Sequence, residues 1–469
     1  MLSRHKDELL VFSIGFLLRV VLIVSTPITW GGDTVIRLFD RYSLTKAHQL
    51  PALQFLIAGV SLVSMDAALV RYLMAVIGAV AGLAFYWVAK DLFGAKFAFP
   101  GALLFISHPF ILAESTVPFQ EILMLAGLLL AFHFFYTGRW IAASLALAVA
   151  CFTRYEAWAA CPVLALAWFL RKDRSPSGAV KAAVLFGWAP VLWILVHAGL
   201  TQRGHYVVET SLSIWRLQRY VYLGWITAKF SQLPVLVLAP AGAWYLLRDR
   251  SRLDWRLRIQ LAFLAVFLVA VLFSAHGVRP DPERYITSRE AHIPMVVVLL
   301  FAVAGLAHWP RWQRAAVLSS VALGVAMAFW YVHTQTAFPD LQLDYRVAQY
   351  LDRSLQPGQH VLLLTKPLAA DLTAQYISQV TKTGSSEDII EAQREIQAAA
   401  LTPPDYQRVV VHSHLNRDQL LAAPAACADW AVVWNEYPDA ARALAGATPV
   451  EVLRSGPLTA SVLHRRCPK

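Results

Sequence analysis

The sequence predicts a polytopic α-helical membrane protein, with about eleven transmembrane helices followed by a small C-terminal α/β extracytoplasmic domain. Three observations carry that prediction. The chain is 58 % hydrophobic and only 15 % charged over 469 residues, with a mean hydropathy of +0.51, which is too apolar for a soluble enzyme of this length. Apolar runs long enough to cross a bilayer recur as far as residue 333 and then stop. Basic residues fill every second break between those runs, so the formal net charge of +11 is an orientation signal and not the footprint of a nucleic-acid partner.

A hydrocarbon core about 30 Å thick takes roughly 20 apolar residues of helix. On that measure the spans are 9–27, 69–89, 97–113, 119–137, 140–158, 159–171, 180–200, 232–247, 259–276, 293–308 and 315–333. The first run is long and lacks a small-residue cleavage site, so it reads as a retained anchor. Starting from Arg4 and Lys6, the alternate breaks carry Lys90 and Lys96, then Arg139, then Arg171, Lys172, Arg174 and Lys181. Arg248, Arg250, Arg252, Arg256 and Arg258 follow, and finally Arg311 and Arg314, all on the cytoplasmic side if spans alternate.

The other breaks are residues 28–68, the turn from Glu114 to Pro118, and the segments 201–231 and 277–292, and the tail leaves on the same side. They hold Arg203, Arg216, Arg219, Lys229, Arg279, Arg284 and Arg289 against the simple charge rule. An anionic ligand on that face accounts for the exception, as do lipid headgroups. Residues 1–336 therefore form the membrane domain, with interfacial helices within 28–68, and residues 337–469 a separate α/β domain. In the latter, His360–Leu364, Arg408–His412, Trp430–Trp434 and Ala460–His464 read as strands, and 343–354, 368–380 and 386–400 as helices. It contains no glycine-rich phosphate loop, metal-spaced Cys/His cluster or nucleophile elbow. Cys151 and Cys161 lie in apolar runs as small core residues; Cys427 and Cys467 lie in the tail and would pair only in an oxidising compartment.

Trp30–Leu53 places Asp33, Arg37, Asp40, Arg41, Lys46 and His48 between two apolar runs, more chemistry than a connector needs. If residues 33–46 are helical, Asp33, Arg37 and Arg41 share one face. Asp33 after Gly31 and Gly32 is either a helix cap or a positioned base. Glu121 starts an apolar run, where a carboxylate needs a partner or an aqueous cavity. Glu114, one turn earlier, reads as a solvated loop residue, and His108 and His48 as interfacial histidines, with a metal site as the alternative. Arg154 and Glu156 either form an intrahelical or interhelical pair that holds the bundle together, or Arg154 contacts a phosphate, which suits its planar guanidinium fork. Arg284, Tyr285 and Arg289 lie where a headgroup phosphate would be gripped, and Arg19 reads as a bundle-interior or snorkelling residue.

Taken together, the aspartate after the first span, the Pro-containing re-entry His48–Phe55, the run 71–94, the acid in QEILML, the TRYEAW box and RYITSREAHIP resemble the GT-C glycosyltransferases. The likeness is greatest to the branch of protein mannosyltransferases and lipid A aminoarabinose transferases. It covers residues 1 to about 335. The resemblance implies inverting transfer of one sugar from a polyprenyl-phosphate carrier to a protein, lipid or glycan acceptor on the periplasmic or lumenal face. Asp33 then matches the catalytic base and Glu121 the second acidic position, which orients the acceptor or helps to bind a metal. Arg284, Arg289 and Arg154 would hold the donor phosphate, with Arg37, Asp40, His48, Glu156 and Tyr285 binding acceptor or sugar. No cofactor is required, and a divalent metal is left open. The sequence departs from the family where Thr34 follows Asp33, in the short gap from Asp33 to Pro51, and in the missing double proline at 48–51.

A bacterial inner membrane is the expected location and the endoplasmic reticulum the alternative. Two other readings are a lipid or oligosaccharide flippase and a ligase or polymerase using a diphosphate-linked donor. The absence of an inverted repeat and of charges at mid-membrane argues against the first.

Overall fold

The computed structural model describes residues 5–26, 28–30, 34, 37, 50–63, 67–201, 214–249, 251, 253–273, 291–337, 339–354, 361–364, 430–435 and 449–464. Residues Met1–Ser25, Tyr42–Ala58 and Arg71–Val332 make one compact unit, and Thr26–Arg41, Gly59–Val70 and His333–Lys469 a second.

The first unit is a helical bundle. Its helices are α1 (Lys6–Ser25), α2 (Ala52–Ser61), α3 (Ala67–Phe93), α4 (Ala95–Ile106), α5 (Pro109–Glu114), α6 (Gln120–Tyr136) and α7 (Trp140–Cys151). They continue with α8 (Ala160–Lys172), α9 (Pro176–Thr201), α10 (Ile214–Phe230), α11 (Leu233–Arg248), α12 (Trp255–Phe273), α13 (His292–His308) and α14 (Gln313–Thr336). The stretches Lys6–Ser25, Ala67–Phe93, Pro176–Val196 and Gln313–Thr336 are long and apolar enough to cross a membrane, and α4, α6, α7, α11 and α13 are shorter apolar helices. Since lipid supplies no hydrophobic drive between helices, close packing must come from small residues. A Cβ on Gly242 would lie 1.9 Å from Phe301 O and one on Gly305 2.2 Å from Leu238 O, so α11 and α13 cross backbone to backbone.

Three expectations for this region are corrected. The single span expected over 97–113 is two helices, because Pro109 holds His108 out of helical geometry (φ −59°, ψ 123°). The span expected to reach residue 158 ends at Cys151; Arg154 is extended (φ −149°, ψ 145°) and a 3-10 turn follows over Tyr155–Ala159. The segment 201–231, expected as a connection, contains α10, whose Arg216, Arg219 and Lys229 depress its hydropathy.

One end of the bundle is tied by cations and aromatic rings. At the C-terminal ends of α3 and α6, His133 Nδ1 lies 2.7 Å from Asp91 Oδ2, and Arg256 Nη1 donates to Asp91 O at 2.6 Å. Arg171, at the end of α8, stacks 3.6 Å from the centroid of Trp255. Arg171 and Arg256 come from the breaks with the expected cytoplasmic bases, and Asp91 and His133 lie at the helix ends beside them.

In the second unit, α15 (Pro339–Ser354) packs on a sheet of β1 (Val361–Leu364), β2 (Trp430–Trp434), β3 (Pro449–Ser455) and β4 (Leu458–His464). The strand order is β1-β2-β4-β3, with β1 parallel to β2 and the other pairs antiparallel. Leu343 and Val347 on one face of α15 meet Val432, Ala460 and Val462, and Gly456 turns the β3–β4 hairpin at φ +56°. β3 was not expected from the sequence. The anticipated strand Arg408–His412, helices 368–380 and 386–400, and the cysteines Cys427 and Cys467 lie outside the described residues.

Candidate active site

The segment SHPFILAESTVPFQE, residues 107–121, joins α4 to α6 at the end of the bundle opposite Asp91 and His133. All six residues of α5 are buried, so the polar groups of the turn after it must find partners inside the protein. Three consecutive residues are gripped from three distant helices. His292 Nε2, at the start of α13, lies 3.0 Å from Glu114 Oε2, with their side chains 0 % and 2 % exposed. Arg19 of α1 donates from Nε to Ser115 Oγ at 2.6 Å, and Arg71 of α3 from Nε to Thr116 O at 2.9 Å. Farther back, Gln232 Nε2 donates to Ser107 O at 3.2 Å.

This turn delivers Glu121 into the first turn of α6, where its carboxylate is fully buried and favourably placed against the helix dipole. Its partner is Arg154. The extended backbone at Arg154, just past the end of α7, aims the guanidinium back across the bundle: Nη1 donates to Glu121 Oε1, and Nε donates to Glu156 Oε2 at 2.9 Å while Nη2 donates to Glu156 Oε1. The fork therefore makes a bidentate pair with Glu156 and carries a third bond to Glu121. Two carboxylates thus share one guanidinium, with the acid of α6 and the turn after α7 held together by it.

Of the residues proposed from sequence, Glu121, Arg154 and Glu156 are thus brought together. Arg154 is engaged by carboxylates, which matches the pairing alternative in the sequence reading. Arg37 is buried at 2 % exposure, and Thr34 Oγ1 donates to Trp30 O at 2.7 Å; both residues belong to the second unit. Asp33, Asp40, His48, Arg284, Tyr285 and Arg289 lie outside the described residues. Glu114, expected to be solvated, is buried against His292, because α5 folds inward instead of crossing the turn on the surface. His108, expected at an interface, is 0 % exposed, and neither ring nitrogen has a hydrogen-bond partner among the described residues. Among the described residues no group of three or more His, Cys, Asp or Glu side chains is arranged to hold a metal ion. Cys151 and Cys161 are buried free thiols, as expected of small core residues. The sequence reading missed Arg71, Thr116 and His292; the one available signal was a basic side chain at the start of an apolar helix.

The bundle, with a buried acid at one end, defines a class of protein by its fold. No protein-family model matches the chain, and no curated protein matches it in sequence. Among solved structures, ArnT from Cupriavidus metallidurans bound to undecaprenyl phosphate aligns with a TM-score of 0.61 at 12 % identity, covering 98 % of this chain and 98 % of that one. The apo state of the same protein aligns at 0.61 and 15 % identity with the same coverage. The Archaeoglobus fulgidus oligosaccharyltransferase in complex with zinc and sulfate gives a TM-score of only 0.47 at 13 % identity, over 90 % of this chain and 67 % of that one. The chain therefore shares the fold of these ArnT structures, in line with the fold that the resemblance in its sequence implies.

Proposed function

We propose that the chain is an inverting glycosyltransferase that moves a single sugar from a polyprenyl-phosphate donor to a protein, lipid or glycan acceptor. In this reading residues 1–336 are the catalytic membrane domain, and residues 337–469 lie on the periplasmic side of a bacterial inner membrane, covering the site or recognising the acceptor. The observation that carries it is the Glu121–Arg154–Glu156 cluster, with Glu121 fully buried and its partners half-buried, at the bundle end remote from the basic breaks. Such a cluster is costly in a membrane protein unless the site uses it. The fold is shared with a protein solved with undecaprenyl phosphate, which supports a polyprenyl-phosphate carrier.

The chemistry is a single displacement. The acceptor hydroxyl or amine gives its proton to Asp33 and attacks the anomeric carbon, while the bond from that carbon to the phosphate oxygen breaks on the opposite face. Inversion follows from the geometry. Arg284 and Arg289 stabilise the phosphate charge that develops on the departing carrier, and Glu121, held by Arg154, orients the acceptor. Arg37, Asp40, His48, Glu156 and Tyr285 supply contacts to the acceptor and sugar. The leaving group is already activated, so no nucleotide site is needed.

Purified protein incubated with a panel of polyprenyl-phosphate sugars and cell-envelope acceptors should yield an acceptor heavier by one sugar residue in mass spectra. Asp33→Asn should abolish that product while inserting normally. If the wild type forms product from none of the donors, or Asp33→Asn is fully active, the reading fails. Movement of intact lipid across vesicles without product would favour a flippase instead.

A further inference from the structure

Arg19 is 0 % exposed, and among the described residues its hydrogen bonds go only to neutral oxygens. Nε donates to Ser115 Oγ at 2.6 Å, Nη1 donates to Gly15 O at 2.7 Å, and Nη2 has no partner among the described residues. Burying a guanidinium without a counter-charge works against the stability of the bundle. A neighbouring helix is also shaped to admit it. A Cβ on Gly78 would fall 2.2 Å from Arg19 Nε and 2.8 Å from Ser115 Cβ, so α3 carries a glycine in its interior where an alanine would favour the helix. Both concessions serve the contact with Ser115. That residue stands between Glu114 and Thr116, which His292 and Arg71 hold from other helices.

We propose that Arg19 is a positioning residue for sugar transfer: by fixing Ser115 it sets the 114–116 turn, and through that turn the entry of α6 that presents Glu121 to Arg154. The proposal rests on the transferase reading above. It differs from a packing role in what removal of the side chain does. Ser115 Oγ also donates to Leu112 O at 2.9 Å, so deleting the guanidinium does not leave the hydroxyl without a partner. An apolar residue at position 19 should therefore leave the fold as stable or more stable while loosening the turn.

The test uses the full-length protein in detergent, with Arg19→Met, Arg19→Lys, Gly78→Ala and Ser115→Ala. Three quantities are measured: thermal unfolding, amide hydrogen exchange over residues 114–121, and kcat and donor KM in sugar transfer. Arg19→Met should unfold at or above the wild-type temperature, exchange faster over 114–121, and lose about tenfold or more in kcat with donor KM within about twofold, as expected of a displaced catalytic group. Gly78→Ala should reproduce the exchange and kcat changes, and Arg19→Lys should recover part of kcat. A lower melting temperature for Arg19→Met marks a packing residue and overturns the proposal, as does unchanged exchange or unchanged kcat. If Arg19→Met yields no folded protein, Ser115→Ala decides, since it keeps the cation and removes its target; wild-type exchange and kcat in that variant overturn the proposal. A wild-type protein that transfers no sugar removes the transferase reading, and hydrogen exchange then decides the positioning by itself.

Discussion

Arg154 reaches the carboxylate of Glu121 across 33 residues of sequence while holding Glu156 within its own turn. The pair joins α6 to the turn that follows α7, so the position of the acid depends on a cation from elsewhere in the chain. Removing one partner of a buried pair leaves the other charge without compensation, at a cost of about 3–5 kcal/mol. Arg154→Ala should approach that figure because Glu121 is fully buried, whereas Glu121→Gln should cost less because Glu156 still neutralises Arg154. In denaturant unfolding the double variant should be more stable than the sum of the two single effects predicts, by about 1–3 kcal/mol. Additive effects would mean that the two side chains do not interact.

The same geometry separates two roles for Arg154. If its fork holds Glu121 in place, Arg154→Lys, which keeps the charge and loses the planar geometry, should lower kcat by about a hundredfold and leave donor KM within about twofold. A rise in donor KM at constant kcat would instead assign the fork to the carrier phosphate.

The crossing of α11 and α13 predicts a purely structural defect. Gly305→Leu would press a side chain into Leu238 O, which a Cβ alone would meet at 2.2 Å, so the helices must separate. The expected loss is about 1–3 kcal/mol in thermal or denaturant unfolding, with kcat unchanged in the fraction that remains folded. Wild-type stability in this variant would contradict the backbone contact.

His292 and Glu114 are a fourth test. His292→Phe keeps the ring that packs 4.9 Å from Phe110 but leaves the buried Glu114 without the imidazole, at a cost of about 1–3 kcal/mol. Adding Glu114→Leu should recover most of that loss, because both polar partners are then gone. If the double variant is no more stable than His292→Phe, the two side chains are not coupled.

The helices were legible because lipid-facing sequence has little freedom: an apolar run of bilayer length has few other uses. The turns between them were less so. Pro109 signalled the break after Ile106, but the hydropathy of residues 97–113 masked it. Glu114 was misread because a carboxylate in a short connection is ordinarily solvated, and only the inward fold of α5 buries it. Glu121, Arg154 and Glu156 were each conspicuous as charges at the edges of apolar runs. Their pairing was hidden, because no local periodicity links positions 121 and 154. β3 was missed because Glu451 and Arg454 interrupt its apolar residues at an edge of the sheet, where charged side chains also guard against further strand pairing.

The donor phosphate provides the last prediction. Once Arg154 is committed to carboxylates, the cations proposed to meet the phosphate are Arg284 and Arg289, which precede the buried His292 in the sequence. A charge-assisted hydrogen bond contributes about 1.5–3 kcal/mol, so replacing either arginine by glutamine should weaken the binding of a polyprenyl phosphate by about 10- to 100-fold. Native mass spectrometry or calorimetry with the carrier phosphate alone, without sugar or acceptor, measures this directly and needs no turnover. Arg154→Lys, run beside them, should bind within about twofold of the wild type, since its partners are Glu121 and Glu156. The reverse pattern, with Arg154→Lys losing the carrier and the Arg284 and Arg289 variants retaining it, would move the phosphate site to the carboxylate cluster and displace Arg284 and Arg289 from the mechanism.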